Sequence, residues 1–235
     1  MNALRQSNGV LAACCVLGVL ALAASSWLAQ DRLTQHARAT TAQSLGTVLH
    51  TTHQAVSSWV RAHQATAMVW ASTPEVESAA IELGAAWRGG ESLAEHPAQL
   101  ELRRLMQPVL SATSHDGYFI ISTDGFNLAS SRDENLGWQC LLTEQQTFLS
   151  RIRAGEPAVS LPQISDVPLR DRDGVLRPGL ATMFVGAPVR GPAGNVVAVF
   201  AVRIDPRKDF TTILQRGRIG QSGETYAFDQ TGRLI

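Results

Sequence analysis

The sequence predicts an α+β fold: a long N-terminal helix packed on an antiparallel sheet, with the start of a second unit of the same kind at the C-terminus. Three observations predict it. Residues 31–71 contain neither Pro nor a turn cluster, and Leu45, Val48, Leu49, Thr52, Val56, Trp59, Val60, His63, Ala67 and Trp70 recur at spacings of three and four. That spacing is one face of a helix about 40 residues and roughly 60 Å long. Residues 182–190 and 196–204 are apolar runs joined by a turn at Pro192, Ala193 and Gly194, which reads as two paired strands. Finally, residues 117–129 and 224–235 share one layout, an apolar run, a Gly turn and a second apolar run. With Gly125 laid on Gly232, Phe119 falls on Tyr226, Ile121 on Phe228 and Leu128 on Ile235. One module used twice in tandem explains the match.

In chain order, residues 1–8 form a short N-terminal segment carrying Arg5, and residues 9–29 contain no charged side chain. Such a run, about 21 residues, spans roughly 31 Å as a helix and matches a bilayer core, so it predicts a transmembrane helix. The bias of Arg5 and the free amine before it places residues 1–8 in the cytoplasm and the bulk of the chain outside. Cleavage after the small residues near Ser25 and a lipobox reading of Leu11, Ala12, Ala13 and Cys14 are rivals, but the run is too long for the first and extends past Cys14 for the second.

Thr73 and Pro74 start a short helix, with Thr73 placed to cap it and Gly84 to end it. Residues 87–97 read as a loop, and residues 98–111, with Leu102, Leu105 and Met106, as another helix. After the hairpin of residues 118–131 come a short helix at residues 144–153 and a strand at residues 158–165. Pro188 marks an edge or a bulge in its strand. Both faces of the last strand are apolar, so both sides of the sheet must be covered. Asp205 and Pro206 cap a linker helix over residues 206–217, with Phe210, Ile213 and Leu214 on one face. Residues 218–235 begin a second module and stop inside its second strand, which predicts an N-terminal piece of something longer.

The function classes narrow by chemistry. Twenty basic against twenty acidic residues, with no basic run, give no electrostatic footprint for nucleic acid. Cys14 and Cys15 lie in the apolar run and Cys140 stands alone, which leaves no disulfide framework. His50 and His53 share a helix turn, with His63 farther on, but no carboxylate or thiol joins them, so they predict a helix surface. Residues 217–223 resemble a phosphate loop without its Lys and Ser or Thr ending and read as a turn. Neither Ser222 nor the adjacent His115 and Asp116 sits in a nucleophile frame, so the expectation is no catalysis and no cofactor in this chain.

Taken together, the N-terminal anchor, the long helix, the restart at residues 71–76, the hairpin at 118–131, the closing strands GAPVRGPAGNVVAVFAVRIDP (residues 186–206) and the repeated hairpin at 220–235 resemble the membrane-distal half of a double Cache (dCache) sensor domain. That PAS-like family supplies the extracytoplasmic input of bacterial chemoreceptors, sensor kinases and cyclases. The resemblance covers residue 31 to the end and implies a complete distal module over residues 31–205. It also implies a small-molecule ligand between the sheet and the loops after its first hairpin, and an output domain, a kinase or cyclase, beyond residue 235; the apolar face of the long helix itself predicts packing on its own domain and a homodimer seam near the membrane. The amino-acid-binding subset uses an Arg, Trp and Tyr cluster on the middle strand and an Asp near the end of the last. Here residues 157–165 lack all three, and Arg203 stands where the Asp is expected, so an amino acid held in that way is not implied. The site residues carried over are Arg203, Asp166 and Tyr118. For Arg203 two readings stand: an anionic or carboxylate ligand, or an internal salt bridge, to Asp166. Asp166 and Tyr118 are pocket residues by resemblance and a turn cap and a core side chain by local chemistry. The rival function is a membrane-anchored structural or assembly protein whose β-domain binds a partner protein.

Overall fold

Residues 117–122 alternate two apolar sets, Tyr118 and Ile120 against Phe119 and Ile121, so a strand made of them is stable only between two covering layers. That is its environment in the computed structural model, which describes residues 2–113, 115–171, 173–218, 223–229, 231, 232 and 234. The strands are β1 (Gly117–Ser122), β2 (Asn127–Ser130), β3 (Ala158–Val159), β4 (Gln163–Ile164), β5 (Leu169–Arg170), β6 (Leu176–Arg177), β7 (Ala181–Arg190) and β8 (Val196–Ile204). The main sheet runs β2-β1-β8-β7-β3, with β4 also on β7, and is antiparallel throughout; β5 and β6 make a separate small hairpin.

The helices are α1 (Asn2–Ala71), α2 (Pro74–Gly89), α3 (Pro97–Thr113), α4 (Gln146–Arg153) and α5 (Phe210–Arg216). Helix α1 continues unbroken through the segment expected to cross a membrane. The side chains of residues 1–17, 19 and 21 lie outside the described set, and no helix among the described residues is long and apolar enough to cross a membrane. The predicted seam of α1 divides: Thr52, Val56, Trp59 and Ala67 meet the domain, whereas Leu45 and Leu49 are exposed.

One face of the sheet is closed by α1, α2 and α3. Ala67, Val76, Leu83, Leu102 and Met106 pack there against Tyr118, Ile120, Val185, Phe200 and Val202. Each fully buried large side chain stabilises the fold by about 1.5–3 kcal/mol. On the other face, Phe148, Leu149 and Ile152 of α4, with Cys140 and Leu142, cover Phe119, Ile121, Phe184, Val199 and Ala201. Gly186 permits that close approach, since a Cβ there would stand 2.6 Å from Ile152 Cδ1 and 2.7 Å from Phe148 Cζ.

Several expectations are corrected. Helix α2 runs through Gly84 to Gly89, because Ala85, Ala86 and Trp87 continue it, and the left-handed Gly90 (φ 74°) ends it. The Thr73 hydroxyl caps nothing ahead of it and donates back to the Trp70 carbonyl at 2.9 Å. The single strand expected at residues 158–165 is two two-residue pieces, β3 and β4. Between them the Ser160 hydroxyl accepts the Phe184 N–H at 2.8 Å, in place of a backbone carbonyl, and Pro162 has no N–H to continue the ladder. Pro188 pairs with Val199 beyond the reach of β3, which contacts only Val185 and Gly186, so β7 has a local edge there. Asp205 and Pro206 form a turn, with Asp205 accepting the Arg207 N–H at 2.9 Å, and α5 begins four residues later.

The repeated hairpin turns match. The Gly125 N–H donates to Ser122 O at 3.0 Å with φ 94°, and the Gly232 N–H donates to Asp229 O at 3.0 Å with φ 82°. These φ values favour glycine. Phe228 bridges Leu234 across the second turn. Ile235, the glycine-loop residues 219–222 and, with them, Ser222 lie outside the described residues.

Candidate ligand-binding site

Period-two alternation puts Arg203 on the same face of β8 as Ala201 and Val199, opposite the helices. It pairs with Phe184 on β7 and, on β1, with Gly117, two residues before Phe119. Its guanidinium therefore sits between two aromatic rings, with Cζ 5.1 Å from the Phe119 centroid and 5.2 Å from that of Phe184. The two rings meet edge to face with centroids 5.7 Å apart. Aromatic faces attract a cation and let a guanidinium be buried at reduced cost.

The charge is closed off by residues 160–171, which pass over the sheet edge as a strap. Arg203 Nη2 donates to Asp166 Oδ1 at 2.9 Å, and Nη1 reaches Ser165 Oγ at 3.5 Å. The pair is asymmetric in solvent exposure, 2% for the arginine side chain and 36% for the aspartate. Burial lowers the pKa of Arg203, and Asp166 works against that shift. Cys140 lies in the same cluster, and burial pushes its thiol up to about 11, so it is a neutral packing residue.

On β4, β7 and β8, three buried polar atoms on this side have no hydrogen-bond partner among the described residues: Arg203 Nε, Thr182 Oγ1 and Gln163 Nε2. Gln163 faces Thr182 across the β4–β7 pair, and Thr182 stands two residues before Phe184, the register partner of Arg203. The Gln163 oxygen is already held by Gln145 Nε2 at 2.8 Å, which leaves its amide to donate elsewhere. All three atoms can donate, so the face is matched to an acceptor.

Of the three residues named from the sequence, the structure brings Arg203 and Asp166 together and separates Tyr118 from them. Tyr118 points to the helical layer, among Phe200 and the apolar side chains of α1 to α3. Burial raises its phenol pKa well above the ordinary value, with Arg103 opposing the shift. The sequence reading missed Phe119, Phe184, Thr182 and Gln163. Alternation from Arg203 could place side chains along β8, but the cross-strand register that gathers the other four is a tertiary fact. His50 and His53 are exposed on α1, and among the described residues no group of three or more side chains is placed to hold a metal ion.

No protein-family model matches the sequence, and no curated protein matches it either. Solved structures do. The sensor domain of the Vibrio cholerae histidine kinase DctB superposes with a TM-score of 0.50 at 15% identity, over 75% of this chain and 58% of that one. The chain shares the fold of that domain, a long N-terminal helix on an antiparallel sheet. The ligand-binding domain of the Campylobacter jejuni chemoreceptor Tlp3, solved with 4-methylisoleucine, aligns over 82% of this chain and 68% of its own at 13% identity and a TM-score of 0.49. That of the Pseudomonas aeruginosa amino acid chemoreceptor PctC, solved with GABA, aligns over 81% and 73% at 17% identity and 0.46. This chain thus spans somewhat under two thirds of the DctB sensor domain.

Proposed function

We propose that the chain is the extracytoplasmic ligand-sensing input region of a bacterial transmembrane receptor. The observation that carries this reading is the buried Arg203 on the strap-covered face of a Cache fold. A buried cation is held there beneath a lightly built cover, with its Nε left without a partner among the described residues. The same fold serves as the sensor domain of the DctB histidine kinase. The uncharged run at residues 9–29 supports anchoring in the inner membrane, with the sensor on the periplasmic side. The exposed Leu33, Leu45 and Leu49 on α1 support pairing with a second copy along that helix. The matching turns at Gly125 and Gly232 support a second module beginning at residue 218, with the output domain, a kinase or cyclase, beyond it. This region itself binds and does not catalyse.

Signalling requires a ligand with unequal affinity for two arrangements of the sheet and α1. A thermal-shift screen of the full chain in detergent against organic acids, amino acids and purines tests the reading. A stabilising compound whose effect vanishes in Arg203→Ala is expected. Binding unchanged in that variant removes Arg203 from the site, and a blank screen favours the rival role of an anchored assembly protein.

A further inference from the structure

Building on the sensing role above, we propose that Asp166 occupies the place of a ligand carboxylate, so that the described structure is a self-occupied state and the ligand acts by displacing the strap. Arg203 is the anchor. Its side chain is buried on a strand that pairs on both sides, so it cannot follow the strap if the strap moves. Asp166 is the removable half. It is over a third exposed and belongs to a segment whose regular structure is two two-residue strands, with Ile164 also exposed. The strap buries Ser165 and Leu169 but is at least partly exposed over most of its length, and such segments open at lower cost than core strands.

The strap satisfies the cation incompletely. Asp166 engages Nη2, whereas Nε, the other donor of a bidentate guanidinium fork, is left without a partner. Thr182 Oγ1 and Gln163 Nε2, on the same side of the sheet, are left in the same condition. A free carboxylate on Arg203 can take both Nη2 and Nε, which the tethered Asp166 does not. A second acceptor on the same molecule would reach Thr182, which stays on β7 when the strap carrying Gln163 moves away, with Phe119 and Phe184 beside the guanidinium. The ligand class is therefore a small carboxylate bearing a second oxygen acceptor. Thr182 distinguishes it from a simple monoacid.

Acetate is the probe, because it is the side chain of Asp166 cut free. In the full chain in detergent, Asp166→Ala should gain roughly 3–6 °C in melting temperature in about 0.1 M sodium acetate relative to sodium chloride at equal ionic strength. The wild type, with its own carboxylate in place, should gain less than half as much. Asp166→Ala combined with Arg203→Met should gain nothing. If Asp166→Ala is not recovered folded, Asp166→Asn, which keeps an acceptor but not the charge, is measured in the same way. An equal acetate effect in all three proteins, or none in the Asp166 variants, overturns the proposal. A screening hit that binds wild type through Arg203 while acetate fails in the Asp166 variants would overturn the displacement but leave the sensing role standing.

Discussion

On the helical side of the sheet, Ile120, Val185, Phe200 and Val202 meet apolar side chains from three helices. On the other side, one residue along each strand, Phe119, Phe184 and Arg203 meet a two-turn helix and a strap. The same three strands supply both layers, so backbone geometry cannot explain the contrast. The difference lies in what covers each side. Helices α1 to α3 bring continuous apolar stripes and leave no reason for a charge. The strap brings Ser165, Asp166 and Gln163 and holds a cation only by its polar groups. A sheet built this way separates what keeps it folded from what can respond.

The largest expected effect tests the helical side. Phe200→Ala opens a cavity among rigid helices and should destabilise the fold by about 3–5 kcal/mol, read from the midpoint of a urea transition. A loss well below that would mean the helical layer collapses easily and is not the stable half. Next comes the strap side at its tightest point. In Gly186→Ala the new methyl meets Ile152 and Phe148, and the expected loss is about 1–3 kcal/mol with displacement of α4. A neutral result would show α4 to be loosely seated.

The ion pair gives a third test. Asp166→Ala leaves Arg203 buried without its counter-ion and should cost about 1–2 kcal/mol, less than for a fully buried pair because Asp166 is partly exposed. Adding Arg203→Met should recover most of that loss, and a double variant weaker than the single would mean that the aromatic contacts of Arg203 dominate. The smallest effect concerns the junction between α1 and the start of β1. His63 and His115 lie there with ring centroids 5.9 Å apart, near Asp116, Lys208 and Asp209. Burial, then the neighbouring His63, lowers His115 from 6.5 to about 4. The folded state thus disfavours its proton, so the contribution is complete above pH 6.5 and is lost progressively as pH falls toward 4. Roughly 1 kcal/mol should disappear between pH 7 and 5 once partial exposure is allowed for. His115→Gln should flatten that slope, and an unchanged slope would assign the acid sensitivity elsewhere.

Much of the architecture was legible because period and punctuation are local. The α1 face from Thr52 to Trp70, the strands 182–190 and 196–204, and the two glycine turns follow from spacing alone. Gly84 misled because a glycine within a helix costs only about 1 kcal/mol, which the packing of Ala80 and Leu83 outweighs. The site was half legible. A lone arginine among β-branched and small residues announces a partner, and Asp166 is that partner. Tyr118, a pocket residue by resemblance and a core side chain by local chemistry, lies in the helical-side core, and which side it faces is known only from the register with β8. Thr182 and Gln163 gave no signal at all, since an unpartnered donor exists only once its surroundings are fixed.

Helix α1 is held by the domain only over its last twenty residues or so, yet it continues unbroken to Asn2. At 1.5 Å per residue, the part between the uncharged run and the domain, residues 30–51, is a rod of roughly 33 Å. A one-degree tilt at the clamp then displaces its far end by about 0.6 Å. Such a lever needs no large rearrangement in the sheet: a change in seating of a few tenths of an ångström beside Ala67 and Ala71 is carried along its length to the uncharged run.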